Sequence, residues 1–169
     1  MAEGIRIARV TVTDDIQEVP NMDYVRELRK LVGTRPLILP GAVVLIINEQ
    51  DEVLLQHRTD GNWGLPGGLM ELAESLEGTA QREVEEETGL NVSNLELVGV
   101  FSGPEYYLKV SNGDELYAVT AVYSTKVYRG DMEANPDESQ DLRFYAFDQL
   151  PAGLSKSYRR FVEAYLEQR

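Results

Sequence analysis

Three glutamates at helical spacing are the residues of this sequence that are best placed to do chemistry. Glu83, Glu86 and Glu87 stand at positions i, i+3 and i+4 of a strongly helical segment, so their carboxylates share one patch of the helix surface. Like charges at this spacing repel each other, and the repulsion grows when the patch is partly buried. Carboxylate oxygens are the ligands that Mg²⁺ and other hard cations prefer. The spacing therefore predicts a divalent-cation site on this helix.

A helical projection separates this patch from an ordinary solvated face. At about 100° per residue, Val84 lies in the apolar stripe of the helix, and Glu83 and Glu87 lie inside or beside that stripe. Glu86 flanks the stripe, whereas Glu85 points to solvent. A solvated acidic face would instead place all of these carboxylates opposite the apolar stripe. We therefore expect the patch to lie at the margin of the core.

Composition limits the classes of partner and site. With 29 acidic residues against 16 basic ones, the net charge is −13, which disfavours nucleic acid and anionic membranes as partners. An anionic substrate would need bound cations to bridge the like charges. The chain has no cysteine and one histidine, His57, which excludes disulfides, thiolate sites and two-histidine zinc motifs. The first residues show no signal-peptide pattern, so we expect a soluble protein of the cytoplasm.

The elements around this helix indicate an α/β or α+β class with a mixed sheet. Two apolar runs, at 43–47 and 52–58, flank a polar turn and are predicted to form a hairpin of two buried strands. A glycine-rich loop at 59–71 follows, and then the glutamate-bearing helix at 72–88. The other predicted elements are strands at 5–13, 95–102, 105–111, 115–128 and 142–147, helices at 22–32 and 156–168, and an acidic loop at 131–141.

The helix and the loop before it carry a motif. Residues 68–90 resemble the Nudix box, G-x5-E-x7-R-E-U-x-E-E-x-G-U with U an aliphatic residue, and all nine specified positions are satisfied. The box runs from Gly68 and Glu74 through Arg82 to Leu90. The residues ahead of the box, WGLPGG, and the two strands before them are also similar to Nudix hydrolases. The resemblance spans roughly 38–168.

The resemblance implies a fold, an activity and a division of the chain. It implies a Nudix-type α/β/α sandwich, with a mixed β-sheet between helices, over residues 37–169, and residues 1–36 are expected to form an extension of a strand and a helix packed on the same domain. Family members hydrolyse a nucleoside diphosphate linked to another group, with Mg²⁺ or Mn²⁺ as cofactor. Relatives are often dimers, which leaves a homodimer open. The alternative is a non-catalytic Nudix module that senses a nucleotide, but such a module would be expected to have a degraded box.

The resemblance also implies roles for individual residues. The metal-binding positions of the box correspond to Glu83, Glu86 and Glu87, often joined by the backbone carbonyl of the residue at Gly67. Glu86 and Glu87 are therefore catalytic candidates. Further candidates are Arg82, which is expected to bridge to Glu74 and orient a glutamate, and Glu138, a loop acid that could complete the site or act as base.

The substrate-binding residues are expected to be Arg58, Gly68 and Tyr106. Gly68 lets the backbone approach the ligand, and Arg58 could meet a phosphate at the pocket rim or be an ordinary surface charge. In relatives, a proline at the position of Pro104 indicates ADP-ribose-type substrates. A tyrosine a few residues further, where Tyr106 and Tyr107 stand in this chain, indicates dinucleoside polyphosphates. The two indications cancel, so ADP-ribose types, dinucleoside polyphosphates and nucleoside triphosphates all stay open.

Overall fold

A five-stranded mixed sheet lies at the centre of the molecule. The computed structural model describes residues 24–110 and 112–169. The strands of the central sheet are, in spatial order, β4 (Gly67–Leu69), β1 (Leu37–Ile46), β8 (Glu115–Thr125) and β6 (Glu96–Phe101), with β7 (Tyr107–Lys109) also beside β8. β1 and β8 run parallel, and the other pairs are antiparallel. This is the mixed sheet that the sequence predicts.

Two smaller sheets and three helices complete the described part of the chain. One small sheet contains β10 (Ser139–Ala146), β2 (Glu52–Arg58) and β3 (Trp63–Gly64) in that order, and the other pairs β5 (Asn91–Ser93) with β9 (Val127–Arg129). The helices are α1 (Tyr24–Val32), α2 (Leu76–Thr88) and α3 (Lys156–Leu166). Within residues 24–110 and 112–169, no helix is long and apolar enough to cross a membrane.

The core has two halves, one on each face of β1. Val43 and Leu45 pack on one face in a cluster that includes Phe161 of α3. Val44 and the other alternate residues pack on the opposite face, in a cluster that includes Val84 of α2. A strand that is buried on both faces and paired in parallel lies between layers of helix. The fold is therefore the α/β/α sandwich that was expected.

The predicted hairpin of residues 43–47 and 52–58 is wrong. β1 and β2 are joined by a short turn and share one isolated bridge, between Ile47 and Val53, but they belong to different sheets. Both edges of β1 are occupied, one by β4 and the other by β8, so β2 pairs with β3 and β10 instead. Periodicity and the polar turn indicate two buried strands, but they do not determine which neighbours each strand takes.

Other boundaries shift by a few residues. The helix predicted at 72–88 begins at Leu76, because the side chain of Ser75 caps it by accepting a hydrogen bond of 3.0 Å from Gly78 N–H. The strand predicted at 115–128 ends at Thr125 and is followed by the separate β9. The helix predicted at 22–32 is present as α1, whereas the predicted strand at 5–13 lies outside the described residues.

Candidate functional site

The glutamates of α2 have the environments that the projection predicts. Glu87 is buried, with 2% of its surface exposed. Glu83 is half-buried, whereas Glu86 and Glu85 are exposed. The apolar face of α2, which includes Val84, packs on the central sheet. The helix therefore carries a row of carboxylates, those of Glu87, Glu83 and Glu86, that runs from the core to the surface.

Arg82 connects the loop before α2 to the glutamates of the helix. Its Nε and Nη2 atoms donate to the two carboxylate oxygens of Glu74 at 2.6 and 3.0 Å. Its Nη1 atom donates to Glu83 and to Glu86, at 2.9 Å each. The hydrogen bond from Arg82 lowers the pKa of Glu74 to about 2, and its contacts with the acids raise the pKa of Arg82. One guanidinium thus connects the loop before α2 to two glutamates of the helix.

Glu87 is held by the backbone of β4 rather than by Arg82. The N–H of Gly67 donates to Glu87 Oε2 at 2.7 Å, and Arg58 Nη2 lies 4.0 Å from Glu87 Oε1. Burial raises the pKa of Glu87 to about 7, although the charge of Arg58 and the Gly67 hydrogen bond oppose the rise. A buried carboxyl of this kind gains from any cation that lies beside it.

Two adjacent glycines allow β4 to lie directly against these carboxylates. A Cβ atom at Gly68 would overlap the carboxylate of Glu83. Gly67 has φ 140, and a Cβ there would overlap the carbonyl oxygen of Ala42. A side chain at Gly68 would push the strand away from α2, and one at Gly67 would push it away from β1. Gly68 therefore lies directly beside the carboxylate of Glu83.

The donor chemistry around α2 fits a hard divalent cation. Burial raises the pKa of Glu83, and the negative charges of Glu86 and Glu138 add to the rise, against the effect of Arg82. Carboxylates whose charged form is disfavoured in this way are stabilised by Mg²⁺ or a similar ion. Across the described ranges, however, no three acidic or histidine side chains form a ready-made cation site. The predicted cluster of three glutamates is therefore not assembled, because Arg82 holds Glu83 and Glu86 while Gly67 holds Glu87.

An aromatic cavity of about 460 Å³ adjoins the buried end of this row. It is lined by apolar and aromatic side chains, with a few polar groups at its rim, as in small-molecule sites. Arg58 lines the cavity and donates to Tyr158 Oη at 3.4 Å and to the carbonyl of Leu65 at 3.3 Å. Its Nε atom is buried and has no hydrogen-bond partner among the described residues. Arg58 thus stands between the cavity and Glu87.

The rings of the cavity wall are fixed by their neighbours. Tyr106, expected to bind substrate, is buried and packs its ring 6.0 Å from that of Phe161. Trp63 also lines the cavity and stacks on His57 with a centroid distance of 4.6 Å. His57 is therefore a packed strand residue, as its setting in the sequence indicates. The fixed rings form a preformed surface on which a planar ligand group can stack.

The acidic loop at 131–141 lies beside the site and is tied to α2. The N–H groups of Glu133 and Asn135 donate to the carbonyls of Thr88 and Glu87, at 2.9 and 3.3 Å. Glu138 is exposed, and its carboxylate is close enough to act electrostatically on both Arg58 and Glu83. The loop therefore stands next to the carboxylates without closing over them.

Gln56 belongs to this site but is absent from the sequence-based candidates. It is fully buried on β2, donates through Nε2 to Ser139 Oγ at 2.7 Å, and lies close enough to Glu87 to lower its pKa. Its Oε1 atom is buried without a partner among the described residues. The sequence does set Gln56 apart in one respect, because it is a polar residue in the middle of the apolar run at 52–58.

Comparisons with known proteins agree with this geometry. A family model described as the NUDIX domain matches residues 38–165. The ADP-ribose pyrophosphatase of Methanocaldococcus jannaschii is 29% identical over 129 residues, which are 74% of this chain and 72% of that protein. A Bacillus subtilis protein whose name marks it as a candidate 8-oxo-dGTP diphosphatase is also 29% identical, over 74% of this chain and 78% of its own. The crystal structure of a MutT NUDIX hydrolase from Burkholderia pseudomallei covers 76% of this chain and 98% of its own, with a TM-score of 0.66 and 28% identity.

Proposed function

The chain belongs to the Nudix hydrolase family, and we propose that it cleaves the diphosphate linkage of a nucleoside diphosphate joined to another group, with water as the nucleophile. The observation that carries this proposal is the contact between Arg58 and Glu87, which joins an aromatic cavity to a row of carboxylates. A base and its ribose fit the cavity, and the diphosphate then extends toward α2. The relatives named as an ADP-ribose pyrophosphatase and as a candidate 8-oxo-dGTP diphosphatase act on substrates of this chemical class.

Glu83, Glu86 and Glu87 are the residues that would hold Mg²⁺ or Mn²⁺. A bound cation would neutralise the charge of the diphosphate and would lower the pKa of a water molecule bound to it. The side chains of Glu83 and Glu86 would exchange their contact with Arg82 Nη1 for the cation, while Arg82 keeps its bonds to Glu74. The carbonyl of Gly67 is proposed as a further oxygen ligand. Because Gly68 has no side chain, the carboxylate of Glu83 can lie close to the backbone of β4.

Arg58 and Tyr106 are proposed to position the substrate. The guanidinium of Arg58 faces both the cavity and Glu87, so it can donate to a phosphate oxygen while the base stacks among the rings. Tyr106 forms part of the wall through its packing on Phe161. These residues hold the substrate so that the scissile bond lies over the glutamates.

Two carboxylates are proposed to take the proton of the attacking water. Glu87 is buried beside Gly67, and Glu138 stands on the loop that borders the site. A general base needs to reach the water and to have a pKa near the working pH. Burial raises the pKa of Glu87 in the metal-free protein, whereas a cation bound to its carboxylate would lower that pKa, so Glu87 takes the proton only where it is not itself a ligand. Glu138 is exposed and can approach the water from the solvent side.

A hydrolysis panel tests the proposal. The full chain is incubated with Mg²⁺ and, in turn, ADP-ribose, a dinucleoside polyphosphate and a nucleoside triphosphate, and the products are separated by chromatography. We expect cleavage within the phosphate chain of at least one compound, with a nucleotide as one product. Tight binding of these compounds without any cleavage would contradict the proposal and indicate a nucleotide-sensing module.

A further inference from the structure

A second cleft borders the carboxylates, at the end of the row away from Arg58. It has a volume of about 190 Å³, less than half that of the aromatic cavity, and it lies between α1, the end of β4 and α2. Glu83 lines this cleft, whereas Glu87, one helical turn further on, contacts Arg58 at the cavity. A diphosphate spanning that turn would therefore have one end at each pocket.

The helix α1 forms one wall of the cleft through Tyr24 and Val25. None of its residues is buried, so core packing contributes little to its position. Arg29 holds it instead, donating to the carbonyl oxygens of Glu115 and Arg35 at 2.8 and 2.7 Å and lying 3.4 Å from Asp114. The helix lies outside residues 38–165, which match the family model. It is thus an addition to the Nudix domain that reaches the functional site.

The lining of the cleft selects the kind of group that can occupy it. Tyr24, Val25, Leu69 and Met70 offer an aromatic ring and apolar side chains, and two carboxylates, of Glu71 and Glu83, complete the lining. A terminal phosphate would be repelled by the carboxylate of Glu71, which is not among the proposed cation ligands. A neutral hydroxylated ring would pack its face on Tyr24 and donate its hydroxyls to the acids. The cleft is smaller than a typical ligand pocket, so it suits one part of a larger substrate.

We infer that the cleft between α1 and β4 binds the second group of the substrate, and that this group is a neutral sugar. The inference rests on the proposed function, since it assigns the two ends of a nucleoside diphosphate sugar to the two pockets. The nucleoside occupies the aromatic cavity, the diphosphate lies along the glutamates of α2, and the distal sugar contacts Tyr24. α1 is accordingly a specificity element of this chain.

Calorimetric binding of two uncleavable analogues tests this inference in the full chain with Mg²⁺ present. The analogues are α,β-methylene ADP-ribose and α,β-methylene ADP, which differ by the distal ribose. We expect the wild type to bind the ADP-ribose analogue about tenfold more tightly, the size of one aromatic contact with its hydrogen bonds. Tyr24→Ala removes this preference, Tyr24→Phe keeps it, and Val25→Trp, which fills the cleft, also removes it.

The control is Leu31→Ala, because Leu31 lies on the same helix with 84% of its surface exposed and does not line the cleft. This variant keeps the wild-type preference. Equal binding of both analogues by the wild type, or a preference that survives both Tyr24→Ala and Val25→Trp, would overturn the inference. Turnover of ADP-ribose by the wild type is measured in parallel. A chain that shows the predicted preference but cleaves neither ADP-ribose nor any other compound of the hydrolysis panel supports the cleft and refutes the proposed activity.

Discussion

Neighbouring glutamates on one helix turn have opposite environments, and this difference is the basis for assigning them different roles. Glu87 is buried against the N–H of Gly67, whereas Glu85 is exposed to solvent. The helical period alone predicts this contrast, because it fixes which residues share a face. Gln56 could not be assigned in the same way, since its partner Ser139 is 83 residues away in the sequence.

We expect Glu87→Gln and Glu86→Gln each to lower turnover by at least about 100-fold, because either change removes a charge that binds metal or takes a proton. Glu85→Gln should lower turnover by less than about threefold, under 1 kcal/mol in the activation barrier. Steady-state rates with the best substrate of the panel provide the measurement. If Glu85→Gln is as damaging as Glu87→Gln, the assignment of roles by helix face is wrong.

Glu138 has a closely matched neighbour for comparison. Its carboxylate acts on Arg58 and Glu83, whereas Asp137 is not among the charges that act most strongly on either residue. We expect Glu138→Gln to lower turnover about tenfold or more, within the range for loss of a general base, and Asp137→Asn to leave it nearly unchanged. The measurement is the steady-state turnover of both variants and of the wild type under the same conditions. Near-normal turnover in both variants would mean that a glutamate of α2, and not Glu138, accepts the proton of the attacking water.

At the scale of elements, the bond between Arg82 and Glu74 fastens the loop before α2 to the helix. Glu74 has a pKa of about 2 in the folded protein, below its ordinary value of 4.5, mainly because Arg82 donates to it. The unfolded chain therefore takes up a proton at this residue before the folded chain does. This contribution to stability is present above about pH 5 and is lost as the pH falls toward 2.

We expect Glu74→Gln to lower the free energy of unfolding by about 1–2 kcal/mol at pH 7, since the hydrogen bonds from Arg82 lose their charged acceptor. The difference from wild type should shrink as the pH falls to about 3. Urea unfolding at the two pH values measures it, with Glu85→Gln as the control for loss of one exposed charge. A difference that stays constant with pH would show that the Arg82 bridge does not contribute in this way.

The sequence predicts single elements better than their pairing. The cap of α3 at Ser155 follows from local side-chain chemistry, and the apolar runs mark the strands. The start of α2 is set by a loop in which Ala73 has φ 64, a backbone conformation that the sequence does not indicate. The separation of β1 and β2 into two sheets depends on contacts with β4 and β8, which are distant in the chain.

At the scale of the whole molecule, the charge of −13 and the acidic row on α2 make bound cations part of the expected folded state. The motif suggests the oxygen donors that we propose, and it predicts that Arg82 bridges to Glu74 and orients a glutamate. That Arg82 contacts both Glu83 and Glu86 depends on side-chain rotamers, which the sequence does not give. The position of α1 beside Glu83 could not be predicted from the sequence either, because it depends on a hydrogen bond from Arg29 to a strand that is distant in the chain.

We expect Mg²⁺ to raise the melting temperature, because it binds the folded arrangement of glutamates and not the unfolded chain. At a hundredfold excess over Kd the gain is about 2.7 kcal/mol, which corresponds to roughly 5–10 °C for a domain of this size. Thermal unfolding with and without Mg²⁺ measures the shift. Glu83→Gln should reduce it and Glu85→Gln should not, so an equal shift in both variants would place the cation elsewhere.

The most direct test of the account is the dependence of turnover on a divalent cation. The rate of nucleotide release from the best substrate is measured in excess EDTA and again after Mg²⁺ or Mn²⁺ is added beyond the chelator. Because the glutamates of α2 cannot neutralise a diphosphate by themselves, we expect no release in EDTA and full recovery with either cation. Undiminished turnover in excess EDTA would contradict the account.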